Sequence, residues 1–303
     1  MKADLHIHSL YSNDGELGIP EILKNCHKNG VDTFSITDHN CVGGSREAMR
    51  LAAVEEGINF IPGIEIDCNY KGCDLHLLAY QIDLKSDDFD TLEYSVRRRH
   101  MDAIPQMISN LEQLGIVIDR DELMKKSGEE PPTGELFAEL LIQNPNQHSN
   151  PRLKPYLPGG ERSDMPLINF YLDFFAQGKP AYVKIDHLDF KEAVALVRNN
   201  GGIPIVAHPG LNLEGREEVV NELMDHGAAG LEVFNNYHNN KQVAYFAGET
   251  SKRGALMTCG SDFHGKNKPL ISLGQYNFLE SYRDYLEGSV SSILNFQRDK
   301  PIK

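Results

Sequence analysis

Histidine and carboxylate side chains recur along this chain at the ends of apolar, β-branched runs, a pattern suited to holding metal ions. Asp4-Leu5-His6-Ile7-His8 reads as a first strand, whose period of two puts His6 and His8 on one face with Asp4 below them. Two imidazoles so placed can share one ion. A lone His-x-His is more often a pair of polar residues at an exposed strand end, but here the motif does not stand alone. Thr37-Asp38-His39, Gly63-Ile64-Glu65, Leu75-His76, Ala207-His208-Pro209 and Gly260-Ser261-Asp262-Phe263-His264 each lie within or just after such a run. Core packing does not explain ligand-type residues at so many strand ends.

The candidate ligands are His6, His8, Asp14, His39, Glu65, His76, His208, Asp262 and His264. Six imidazoles and three carboxylates exceed what one ion can use. Two or three divalent ions are therefore expected, with a carboxylate bridging at least one pair. The nitrogen-rich set favours manganese, iron or zinc over calcium or magnesium, which prefer oxygen cages. Such ions outweigh the three carboxylates and leave a small positive pit in a chain of net charge −14. That pit suits a compact phosphate dianion, and the ions could lower the pKa of a bound water to roughly 7, giving a hydroxide that attacks phosphorus.

Strand and helix must alternate to position these residues. Strands are read at 31–37, 58–64, 74–80, 203–207, 230–234 and 255–259, and helices at 19–29, 45–56, 190–199, 217–226 and 242–252. With the first strand this makes seven, and ligand residues stand at the C-terminal end or mouth of six. The alternation predicts a parallel sheet with helices outside, closed as a barrel whose C-terminal face carries the chemistry. It stops between Leu84 and Pro180. Helices are read there at 92–114, with Pro105 as a possible kink, at 135–142 and at 167–176, around a loop at 144–166 rich in Pro, Asn and Gly. This stretch is expected to be an inserted, mostly helical cap over the barrel mouth. Phe278 to Ile293 could form a further helix.

Composition excludes several classes. Hydrophobic content of 40% and charged content of 24% are those of a globular protein. No apolar run is long enough to span a membrane, and the first strand leaves no room for a signal peptide, so a cytoplasmic location is expected. Five cysteines without a Cys-x-x-Cys pair argue against a disulfide framework or a thiolate zinc site. The acidic surface should repel long nucleic acid and anionic membranes. Oligomeric state is not readable.

Other residues are weighed alongside. Asp4 and Asp38 either orient neighbouring ligand histidines or cap strand ends. Arg97, Arg98 and Arg99 could contact a substrate phosphate or form a solvated helix face; Arg152, Lys154 and Arg162 could close over substrate or belong to a disordered loop. Ser261 is a candidate substrate contact but lacks a free base to activate it, which favours a structural role. Asn235 and Asn236 could line the mouth. His187, His226 and His238 read as surface histidines.

Through Asp-x-His-x-His-Ser, Ser-x-Asp-Gly, Thr-Asp-His, Gly-x-Glu, Ala-His-Pro-Gly and Gly-Ser-Asp-Phe-His, residues 2–84 and 180–265 resemble the PHP (polymerase and histidinol phosphatase) family of metal-dependent phosphoesterases. The resemblance implies a distorted (β/α)7 barrel at 1–84 and 180–275, an inserted helical cap at 85–179 and a C-terminal extension at 276–303. It also implies that His6, His8, Glu65 and Asp262 hold one ion, that Glu65 bridges to a second held by His76 and His208, and that Asp14, His39 and His264 hold a third. His208, His264 and Asp262 are the candidate catalytic residues, the two histidines as proton donors only if not fully engaged as ligands.

Gly178-Lys179-Pro180-Ala181-Tyr182-Val183 is similar to the branch with a long insertion after the fourth strand. Members of that branch hydrolyse small phosphorylated compounds such as nucleoside 3′,5′-bisphosphates, nucleoside monophosphates or short oligonucleotides. The insertion departs from that branch, with Thr133-Gly134-Glu135-Leu136 where a Thr-Arg-x-His-like motif is expected. The expected activity is hydrolysis of a small phosphorylated metabolite. Alternatives are a histidinol-phosphate phosphatase, an amidohydrolase and a non-catalytic sensor of a phosphorylated ligand.

Overall fold

The computed structural model describes residues 1–296. The last seven positions of the expected C-terminal extension, 297–303, lie outside the described residues. Eight strands form one sheet: β1 (Ala3–Asp4), β2 (Thr33–Ile36), β3 (Asn59–Tyr70), β4 (Cys73–Tyr80), β5 (Leu188–Asp189), β6 (Ile203–Val206), β7 (Gly230–Phe234) and β8 (Leu256–Cys259). Seven run in the order β1-β2-β3-β4-β6-β7-β8, and β5 adds two residues to the edge of β3. The Leu5 N–H donates to the Cys259 carbonyl at 3.0 Å, so the two ends of the path meet and the sheet closes into a distorted seven-strand barrel.

The alternation of strand and helix predicted a parallel sheet throughout, and β4 departs from it. It runs antiparallel to both β3 and β6. Lys71 and Gly72 join β3 to β4 with φ of 49° and 78°, the paired left-handed residues of a tight hairpin, and a two-residue link can only return the chain antiparallel. Because β3 extends past Glu65 to Tyr70, the returning strand carries His76 opposite Asp67, at the level where the parallel strands end.

The helices follow local signals. Ile19–Asn29 has Pro20 in its first turn and stops at Gly30, in the left-handed region at φ 69°. Asp189 accepts the Lys191 N–H to start Phe190–Asn199, and Asn239 accepts those of Lys241 and Gln242 to start Asn240–Arg253. Two short helices lie outside the sequence-based expectations, Pro209–Asn212 and Arg120–Ser127, the latter capped by Asp119, which accepts the Asp121 and Glu122 N–H groups. Arg283–Leu294 follows a single turn at Glu280–Tyr282; it buries Leu286, Val290 and Ile293, and its Ser289 hydroxyl accepts the Met257 N–H of β8 at 3.1 Å.

The chain divides into two compact units. One comprises Met1–Leu92, His187–His264 and the residues from Ile271 onward; the other comprises Glu93–Asp186 and Gly265–Leu270. In the barrel unit, Ile7, Ile19, Ile22, Phe34 and Ile36 form one fully buried core cluster between the sheet and its first helices. The inserted unit has a separate core of Leu111, Leu123, Phe137, Leu141, Leu153 and Phe170. Its helices include Gly134–Gln143, Pro166–Phe174 and the part of Asp87–Gln113 from Glu93 onward, which passes through Pro105. No helix among the described residues is long and apolar enough to cross a membrane.

Phe137 is fully buried, with its ring centroid 5.1 Å from that of Phe175 and the two planes tilted by 56°. Phe137→Ala should destabilise the inserted unit by about 3–5 kcal/mol, read as a lower urea midpoint for that part of the chain.

Candidate metal centre

All nine candidate ligands converge at one end of the barrel unit, and they fall into three donor groups. In the first, His6 Nε2 lies 3.1 Å from His8 Nε2, 3.0 Å from Glu65 Oε2 and 3.2 Å from Asp262 Oδ1. His8 Nε2 is 3.1 Å from both carboxylate oxygens, and all four side chains are buried. In the second, the other Glu65 oxygen, Oε1, faces His76 Nδ1 at 3.0 Å and His208 Nε2 at 3.1 Å. In the third, Asp14 Oδ2 lies 3.0 Å from His264 Nε2 and 3.5 Å from His39 Nε2, with His8 adjoining.

These groups fit divalent ions. Donors that each sit about 2.0–2.2 Å from a common cation are themselves roughly 3 Å apart, which is the spacing seen here. Two imidazole nitrogens 3.1 Å apart and flanked by two carboxylates also make poor neighbours unless something positive lies between them.

The rings are aimed from outside. His6 Nδ1 is 3.0 Å from Glu232 Oε1, His39 Nδ1 is 3.0 Å from Asp67 Oδ1, His208 Nδ1 is 2.6 Å from Asn212 Oδ1, and His264 Nδ1 is 2.8 Å from the Asp262 carbonyl. A proton held on each Nδ1 leaves Nε2 as the inward donor. His76 is reversed: Nδ1 faces Glu65, and Nε2 lies 3.6 Å from Asp67. The backbone contributes too, since His208 and Asp262 are non-glycine residues at φ 20° and 57°. Strain of this kind persists only where surroundings impose it.

Residues 4–142 match the PHP domain family. Over 265 residues the chain is 28% identical to a 3′,5′-nucleoside bisphosphate phosphatase of Chromobacterium violaceum, covering 86% of each chain. It is also 28% identical to a 5′-3′ exoribonuclease of Haemophilus influenzae, over 89% of this chain and 95% of the relative. A solved structure described as an amidohydrolase from Chromobacterium violaceum, with bound sulfate and no metal, superposes with a TM-score of 0.76 at 25% identity, covering 95% of this chain and 97% of the other. The domain match and the names of these relatives support a metal-dependent phosphoesterase with a PHP domain over residues 4–142.

Charge is tightly compensated in this centre. Burial opposes ionisation of Glu65, yet His6, His39 and His76 around it hold the carboxyl well below its usual range. Asp14 is likewise buried and likewise held low, by His264 and His39. Burial disfavours charge on His6 and His39, but the surrounding carboxylates outweigh it and raise both imidazoles well above the ordinary range. His8 goes the other way, pushed down by burial and by His264. Divalent ions would replace protons in such an array.

Three functional residues escaped the sequence reading: Glu232, Asp67 and Asn212. Asp67 stands two residues after Glu65 on the same strand face, and Asn212 four residues after His208, so periodicity carried a signal for both. Glu232 is the lone acid in a buried apolar strand.

Asp4 and Asp38, which neighbour ligand histidines, hold the backbone instead. Asp4 accepts the Ser261 N–H and hydroxyl at 2.9 and 2.6 Å and the Gly274 N–H at 2.6 Å. Asp38 accepts the Ser9 N–H and hydroxyl at 2.6 and 2.7 Å. Burial raises both carboxyls to about 6. Ser261 thus commits its hydroxyl to Asp4. Asn235 and Asn236 donate to the carbonyls of Gly260 and Ser261, tying the end of β7 to the ligand loop. His238, expected at the surface, is buried: Nδ1 faces the Val233 carbonyl at 2.8 Å and Nε2 accepts the Gly210 N–H at 3.0 Å, which fixes the turn after His208. His187 and His226 are half-buried.

In the inserted unit, Arg97 reaches Glu130 at 2.7 Å and the Glu129 carbonyl at 2.8 Å, Arg99 reaches the Asp186 carbonyl, and Arg98 is exposed. Arg162 forks onto Asp173 at 2.9 and 3.0 Å, where the Tyr156 hydroxyl also donates. The loop carrying Arg152, Lys154 and Arg162 is therefore pinned, with single helical turns at Pro145–Gln147 and Lys154–Tyr156. All five cysteines are buried, and none forms a disulfide among the described residues.

Asp67→Asn should retain the fold while weakening divalent-ion binding roughly 10–100-fold, because His39 and His76 lose the carboxylate that orients them. Equilibrium dialysis against a manganese series checks this.

Proposed function

We propose that this chain hydrolyses a small phosphorylated metabolite, a nucleotide or nucleoside bisphosphate, at the centre formed by His6, His8, Asp14, His39, Glu65, His76, His208, Asp262 and His264. Glu65 carries the reading: one fully buried carboxylate turns its two oxygens to two separate nitrogen-rich donor groups, as a bridging ligand must. The nucleotide preference leans on the likeness to a 3′,5′-nucleoside bisphosphate phosphatase.

His6, His8, Glu65 and Asp262 would hold one ion, Glu65, His76 and His208 a second, and Asp14, His39 and His264 a third; manganese, iron or zinc suit this set. Bound divalent ions supply Lewis acidity to the phosphoryl group and ease deprotonation of the attacking water. Both ring nitrogens of His208 and of His264 face fixed partners. We therefore assign these two as ligands rather than as proton donors to the leaving oxygen. Asn212 and the Asp262 carbonyl keep their Nδ1 protons in place, and Asp14 and Glu65 stay ionised through the pH range in which such chemistry runs.

Manganese-loaded protein should release inorganic phosphate from at least one of a nucleoside 3′,5′-bisphosphate, a nucleoside 5′-monophosphate and histidinol phosphate, or a mononucleotide from a short oligonucleotide. His208→Ala and Asp262→Ala should lower kcat by more than about a hundredfold, beyond what losing an outer partner costs. Chelation should abolish turnover and manganese restore it. No release from any of the four by protein that holds its ions would reject the proposal.

A further inference from the structure

We propose that Glu232 is the positioning residue that sets the donors offered by both His6 and His208, and that only a carboxylate can do this. The inference rests on reading the centre as a metal site. Glu232 lies mid-way along β7, fully buried, on the strand face directed into the barrel. Its Oε1 is 3.0 Å from His6 Nδ1, and its Oε2 accepts the backbone N–H of His208 at 2.8 Å. The two residues it holds belong to different donor groups and lie far apart in sequence.

Each contact does something distinct. A proton fixed on His6 Nδ1 turns Nε2, with its lone pair, toward Glu65, His8 and Asp262. The His208 N–H sits just past the end of β6, in a residue at φ 20° and ψ 59°, a conformation that needs an outside anchor. With that N–H held, His208 aims Nε2 at Glu65 from the opposite side.

Space has been left for the pair. A Cβ at Gly260 would stand 2.2 Å from His6 Cβ and 2.7 Å from Glu232 Oε1, so glycine here is what lets imidazole and carboxylate lie side by side.

Both partners of Glu232 are donors, so both of its oxygens must accept. Glutamine has the same shape but only one accepting end. Its NH2 would face either the His6 N–H or the His208 N–H, donor against donor, among fully buried side chains. Aspartate keeps two acceptors with a shorter reach.

The test compares wild type, Glu232→Gln and Glu232→Asp, each stripped and then titrated with zinc against a competing chelator, with ions per chain counted after gel filtration. Glu232→Gln should bind the ion held by His6 roughly 10–100-fold more weakly and lose at least one ion per chain, while Glu232→Asp falls between it and wild type. Glu232→Gln with unchanged ion count and affinity, even at reduced thermal stability, would show a purely structural role and overturn the proposal.

Should Glu232→Gln fail to fold, nitrogen-15 spectra of zinc-loaded wild type decide. The His6 ring, assigned by the signal missing from His6→Gln, should carry its proton on Nδ1 and a metal-shifted Nε2. Ligation through Nδ1 overturns the proposal. Wild type that takes up no divalent ion would instead reject the metal reading beneath it.

Discussion

A carboxylate with no access to water has to be neutralised by whatever surrounds it, and Glu65 is such a carboxylate. The mouth of the barrel answers that constraint. Four imidazoles lie within 3.1 Å of its two oxygens, and those of His6 and His208 are in turn backed by acceptors that fix which nitrogen points inward. Strain at His208 and Asp262 and the bare Gly260 are local concessions that let these rings approach. A protein that spent a buried carboxylate and strained backbone on stability alone would gain little, since such groups cost more than apolar packing would. The arrangement makes sense as a holder for cations.

Much of the barrel, and the convergence of the nine candidate ligands, was legible in sequence, because both rest on local signals. Period-two runs ending in His, Asp or Glu reveal strand ends, and capping residues mark helices such as Ile19–Asn29 to the residue. What could not be read depends on pairing. The antiparallel β4 follows from the Lys71-Gly72 turn, and lysine is an unusual occupant of a left-handed turn position, so the hairpin left no familiar trace. The same difficulty hid the acceptors behind the rings. Glu232 meets His6 across 226 positions, and His238 reads as a surface residue because its Gly210 contact spans 28. Nothing in a single sequence marks contacts made at such separation.

The basic residues of the inserted unit have a different status from the ligands. Arg97 and Arg162 are paired to acids in their own unit, which suits fixed structure more than open charge. The chain has a formal charge of −14, so attraction for a phosphorylated substrate has to be generated at the centre itself. Such attraction is short in range and screened by salt beyond a Debye length of about 8 Å under physiological conditions. Discrimination among phosphate esters then falls to groups that touch the rest of the substrate.

The hairpin formed by β3 and β4 also changes the order in which the centre becomes cheap to assemble. It brings Glu65, Asp67 and His76 together within a span of only 11 residues between Glu65 and His76, whereas Glu65 and His208 are 143 apart. Loop closure grows with the logarithm of that span, so the longer contact costs about 2 kcal/mol more chain entropy than the hairpin. Gathering Glu65, Asp67 and His76 is therefore the part of the candidate site that costs the least chain entropy. A cation caught there would reward closure of the remaining strands, making the ion a participant in the folding of the barrel as well as in its chemistry.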